Sequence, residues 1–160
     1  MAPCREAERF AQQGMHRIVS VQDTLYPLEF FIAATPISLQ ASGRSRERWK
    51  TMVRDAARDR IHETDGLGFL DHRPVSLTIY YFPEAVMQGD IDNIVKPIMD
   101  ALIHIAYMSD QAVERVLVQK FEPESDSAIV EPSAQLLAVL AVVKPVVYVR
   151  VDDDLSWRRL

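Results

Sequence analysis

Residues 89–110, GDIDNIVKPIMDALIHIAYMSD, hold four carboxylates and one lysine at spacings suited to metal-assisted phosphate chemistry. Asp90 and Asp92 lie two apart, which on an extended segment turns both side chains to one side. From Asp92 onward the spacing is helical. Ile94, Ile98, Leu102 and Ile105 make one apolar stripe, and Asp92, Lys96 and Asp100 recur every four residues on the opposite side. Carboxylates crowded into one site resist joint ionisation unless a counter-charge joins them. A hard divalent cation resolves the repulsion, and Mg²⁺, or Mn²⁺ in its place, suits carboxylates, waters and a substrate phosphate. The rival reading is a helix cap, with Asp92 or Asn93 accepting backbone N–H groups and Pro97 near the first turn. Capping accounts for one acid and leaves Asp90, Lys96 and Asp110 without a role. The set is therefore read as a metal site, and Asp100 taken alone as a solvated helix residue. The rival for Lys96 is an i,i+4 ion pair with Asp92 or Asp100. His104 reads as an ordinary exposed histidine.

The elements that position these groups follow from periodicity. Residues 28–34 are apolar and aromatic, a buried strand stopping before Pro36. Residues 46–61 place Trp49, Met52, Val53 and Ala56 on one helical face. Gly66 and Gly68 punctuate the connection to 75–82, where Val75, Leu77, Ile79 and Tyr81 alternate with polar positions as in a half-buried strand. A short loop then leads to Asp90. The helix is expected over about 93–107, a further strand over 113–121 with Lys120 near its end, and a Pro/Glu/Ser-rich loop over 122–133. Residues 134–151 read as strand interrupted at Lys144-Pro145, either one bent strand or two. The order β-α-β-α-β-β predicts an α/β (α+β) fold, a mixed sheet with helices packed on it. Residues 1–24 read as an N-terminal extension and 25–160 as one domain.

At 160 residues, 48% hydrophobic and 26% charged, the composition is that of an ordinary globular domain. The lone Cys4 excludes an internal disulfide, and His16, His62, His72 and His104 have no zinc spacing. No run of apolar residues is long enough to predict a membrane span or a secretion signal, so a cytoplasmic location is expected. The net charge of −5 argues against a nucleic-acid partner until its distribution is considered. Over 44–60, seven basic residues face three acids, and Arg46, Lys50, Arg54 and Arg58 form an i+4 stripe able to contact phosphates.

The ordered string Asp90-x-Asp92-Asn93-x-x-Lys96, then Asp100-Ala101-Leu102, then Asp110 ahead of a new apolar segment, resembles the RusA family of Holliday junction resolvases. Pro36-x-Ser38-x-Gln40 is similar to that family's early Pro-x-Ser-x-Asn turn. The resemblance implies a RusA-like domain, a homodimer, and Mg²⁺-dependent cleavage of Holliday junctions or other branched DNA during recombination and repair. It implies Asp90, Asp92 and Asp110 as metal ligands and Lys96 as a catalytic residue, while the distribution of basic residues offers Arg46, Lys50, Arg54, Arg58 and Lys120 for binding DNA. Where the family carries two adjacent distal acids, this chain has Ser109-Asp110. Two other functions fit the residues: a catalytically weakened branched-DNA-binding relative, and a metal-dependent hydrolase of small phosphate compounds.

Overall fold

The computed structural model describes residues 25–37, 41–64 and 70–158. The extension over 1–24, the turn residues Ser38 and Gln40, and Gly66 and Gly68 lie outside them. Four strands, β1 (Leu28–Ile32), β2 (Val75–Phe82), β3 (Val113–Lys120) and β4 (Val146–Asp152), form one mixed sheet in the order β1-β4-β2-β3. β4 is antiparallel to both β1 and β2, and β2 is parallel to β3. The pleat divides the side chains between two cores. Leu77, Ile79, Val147 and Val149 face one cluster with Trp49, Val53, Ile98 and Leu102. Tyr80, Phe82, Val146 and Tyr148 face the other with Leu136 and Val139. Each fully buried aliphatic side chain contributes about 1.5–3 kcal/mol. The expected α+β fold with a mixed sheet is the one observed.

Helix α1 (Gly43–Glu63) extends beyond the expected 46–61 because the Ser42 hydroxyl accepts from the Ser45 backbone N–H at 3.3 Å and starts the helix earlier. Trp49, Val53 and Ala57 are its buried face.

Three sequence expectations are corrected. Only Asp90 is extended (φ −90°, ψ 140°); Ile91–Ile94 is a 3-10 turn leading into α2 (Val95–Leu102). A 3-10 turn eclipses positions three apart, so Ile91 and Ile94 can pack on the same core. Asp92 therefore does not share a strand face with Asp90. Second, α2 stops at Leu102 instead of continuing to 107. Ile103 turns extended (ψ 132°) and His104 adopts a left-handed φ of 62°. The chain then folds back, with His104 N–H donating to Tyr107 O at 2.7 Å. This keeps Ile105, Ala106 and Tyr107 buried. The Tyr107 hydroxyl donates to Met99 O at 2.8 Å, satisfying a carbonyl of the last helical turn.

Third, residues 134–140 are not strand but helix α3 (Ala134–Leu140), so the order is β-α-β-α-β-α-β. The Ser133 hydroxyl accepts from Leu136 N–H at 3.1 Å and donates to Glu29 at 2.7 Å. Leu136 and Val139, three apart, are its buried residues. At the other end Lys144 Nζ donates to Val139 O at 2.9 Å and Val142 O at 3.0 Å, placing a positive charge at the helix C-terminus. Beyond β4, the turn Ser156–Arg158 is fastened to β3, with Arg158 paired to Glu114 and the Arg115 guanidinium 5.4 Å from the Trp157 ring.

Candidate active site

The segment entering the site begins at Gly89, whose φ of +101° is a conformation side-chain-bearing residues rarely adopt. It turns the chain so that Asp90 opens the 3-10 turn. Capping does not explain the acids here. The cap positions are Asp90 and Ile94, and neither makes a side-chain capping hydrogen bond. Asp90 and Asp92 are both solvent-exposed.

Lys96, on the first turn of α2, reaches two carboxylates at once. Its Nζ lies 2.8 Å from Asp100 Oδ1 and 2.7 Å from Asp110 Oδ2. The fold-back after Leu102 makes the second contact possible. A helix continuing to 107 would have carried the chain about 16 Å along its axis away from Lys96. Asp110 opens a short 3-10 turn, Asp110–Ala112, in which the Ser109 hydroxyl accepts from Gln111 N–H at 3.3 Å. At the position of the absent second acid, the serine thus shapes the turn.

The sequence reading missed Asp100. Far from being merely solvated, it binds Lys96 through Oδ1 and Lys50 of α1 through Oδ2, the latter at 3.0 Å. Burial pushes its carboxyl up, and hydrogen bonds from Lys96 and Lys50 outweigh that and hold it below the usual range. The Lys96 hydrogen bond likewise depresses Asp110. Hydrogen bonds to Asp100 and Asp110 raise Lys96, so it is held firmly in its charged form. The signal in sequence was the i,i+4 pair Lys96–Asp100; its partner Lys50, fifty residues upstream, had none.

The predicted site residues divide accordingly. The fold brings Lys96, Asp110 and Lys50 together with Asp100. It does not gather Asp90, Asp92 and Asp110 into a formed ligand set, since among the described residues no three carboxylate, imidazole or thiol side chains stand close enough to hold one ion. The all-oxygen donors suit a hard divalent cation in type, and Asp110 is paired with Lys96. On α1, Arg46 and Lys50 line a cleft of about 310 Å³ with Glu47, Pro97 and Asp100. Arg54 pairs with Glu47 at 2.8 Å and Arg58 with Asp55 at 3.9 Å. Lys120 sits at the far end of β3 from Asp110, about 23 Å along the strand from Val113, and pairs with Glu122 at 2.6 Å. His104 is exposed, as expected, but in the turn beyond α2.

Among the described residues no helix is long and apolar enough to cross a membrane. The family model described as Endodeoxyribonuclease RusA matches residues 41–131, from the start of α1 to beyond β3, and takes in every residue of the cluster just described. No curated protein matches the chain.

Proposed function

The chain belongs to the RusA endodeoxyribonuclease family, and from that premise we propose that it is a Mg²⁺-dependent endonuclease that cuts Holliday junctions or similar branched DNA in recombination and repair. The observation that carries the reading is the charged cluster of Lys96, Asp100 and Asp110 within the segment shared with the family.

In this mechanism Asp90, Asp92 and Asp110 would hold the ion, with Asp110 released from Lys96 to do so. When bound, Mg²⁺ supplies Lewis-acid polarisation of the phosphate and a more acidic water. Lys96 serves as a fixed positive charge beside the attacked phosphate. Its proton is held more tightly than an ordinary lysine's, which suits electrostatic stabilisation of the developing oxyanion and not general-base work. Arg46, Arg54 and Arg58 on α1 approach the DNA backbone, while Lys50, between Arg46 and Arg54, is paired with Asp100; Lys120 contacts a more distant arm. A homodimer presents two such sites to a junction of approximate two-fold symmetry.

A non-cleaving junction binder is the second reading, favoured by Ser109 standing as a turn residue where the family carries an acid. Synthetic four-way junctions, flaps and linear duplex, incubated with Mg²⁺ or EDTA, separate the two. Paired symmetrical nicks by the wild-type protein in Mg²⁺, lost in EDTA and in Asp92→Asn, support the nuclease. Binding without nicking supports the second reading, and equal cutting by Asp92→Asn removes that residue from the mechanism.

A further inference from the structure

Lys96 stands between two carboxylates of different character. Asp110 is half-buried, on a short turn, and belongs, in the reading above, to the ion. Asp100 is on α2 itself, one turn from Lys96, and its second oxygen is bound by Lys50 from a different helix. An ion that draws Asp110 to itself removes one of Lys96's two partners. The remaining partner then decides where the ammonium sits, because an exposed lysine with four rotatable bonds has no preferred position of its own.

We propose that Asp100, clamped by Lys50, is the positioning residue that keeps the Lys96 ammonium beside the site once Asp110 is engaged elsewhere. The inference rests on the nuclease reading for its consequence in catalysis, but its structural content does not. Three features support it. The carboxylate is shared without competition, Oδ1 to Lys96 and Oδ2 to Lys50. The Lys50–Asp100 pair is 24% and 28% exposed, so solvent screens it less than the Lys96–Asp110 pair, at 47% and 35%. Finally, Lys50 comes from the helix that carries the basic stripe, and the cleft it lines with Arg46, Pro97 and Asp100 makes the lysine's position depend on how α1 packs against α2. Asp100 is not itself a catalytic residue; it acts through Lys96.

The test uses the full chain and two readouts. In the first, limited acetylation with acetic anhydride in saturating Mg²⁺ is mapped by peptide mass, with Lys120 as the internal reference. Asp100→Asn is expected to raise Lys96 labelling severalfold, and Asp100→Glu to restore most of the protection. In the second, single-turnover junction cleavage by Asp100→Asn falls by about tenfold to a hundredfold, the scale of a misplaced catalytic group, while junction Kd changes by less than about twofold. In a Lys96→Met background the same change adds no further loss. Unchanged Lys96 labelling in Asp100→Asn overturns the proposal. So does a loss confined to Kd, or a loss that persists in full without Lys96. A wild-type protein that does not nick DNA sinks the nuclease reading instead, and the labelling result still decides whether Asp100 holds Lys96.

Discussion

Replacing Lys96 by Met should tighten divalent-ion binding by the DNA-free protein even as it impairs cleavage. Lys96 Nζ lies 2.7 Å from Asp110 Oδ2, so a cation that recruits Asp110 must displace an ammonium. The size of that competition follows from exposure. Lys96 and Asp110 are 47% and 35% exposed, so water and salt screen the pair and place it among ordinary surface ion pairs. Such a pair amounts to about a two- to fivefold factor in an equilibrium constant. Met keeps most of the stem and removes the charge, so the ion dissociation constant measured by calorimetry with Mg²⁺ or Mn²⁺ should fall by about that factor at low salt, and by less at high salt. Asp110→Asn should weaken binding in the same titration. Affinity that is unchanged or weaker in Lys96→Met would show that Asp110 is not shared between lysine and ion, and would remove Asp110 from the ligand set.

Other expectations follow from the same geometry. If Arg58 touches one phosphate, Arg58→Ala should lower the slope of log affinity against log salt by about 0.9, read from junction binding at several NaCl concentrations. Gly89→Ala should cut cleavage sharply while costing about 1 kcal/mol in stability, because φ +101° is strained for alanine and Asp90 is the next residue; an unchanged rate would show that the turn does not place Asp90. Ile98→Ala empties a site with no solvent exposure and should cost about 2–5 kcal/mol in urea unfolding. Alkaline pH should unfold the protein through its tyrosines. Burial, against the opposing Arg73 charge, pushes Tyr26 up to about 12, and burial pushes Tyr148 to about 12 and Tyr107 up as well. Their unfolded values are about 10, so the unfolded chain releases these protons first. Stability is fully present below pH about 10 and is lost as pH rises toward about 12. Tyr26→Phe should flatten that decline in the urea midpoint.

The parts of this fold legible in sequence were those set by local periodicity. β2 alternates as its sequence predicts, and the spacing of the acids around Lys96 marks it and Asp110 as candidates. The parts that were not legible depend on contacts between distant segments. At 134–140, AQLLAVL, the helix-favouring Ala, Leu and Gln argue against the strand reading, and what the sequence hides is the tie at the helix start, Ser133 bonding both Leu136 and Glu29, a residue 104 positions away. The early end of α2 likewise depends on Tyr107 reaching back to Met99 and on a left-handed His104. Asp100 was misjudged for the same reason, since its weight comes from Lys50 on another helix.

The basic stripe shows how a chain of net charge −5 can still present a surface for DNA. Its members are not equivalent in the fold. Lys50 is 24% exposed and committed to Asp100, so displacing it would take away the partner of Asp100 Oδ2 on a partly buried carboxylate. Arg54 and Arg58 are paired with Glu47 and Asp55, acids 65% and 61% exposed on the same helix, and such pairs are weak enough for a phosphate to replace them. Under the proposed reading, α1 therefore does two things along one row of side chains. Lys50 anchors the carboxylate that holds Lys96, and Arg54 and Arg58 beyond it meet the DNA. Neutralising Arg54 or Arg58 should then act on binding and its salt dependence, whereas neutralising Lys50 should act on the rate of cleavage in the bound complex. Equal effects of all three on binding alone would show that the row is a uniform charged face with no division of roles.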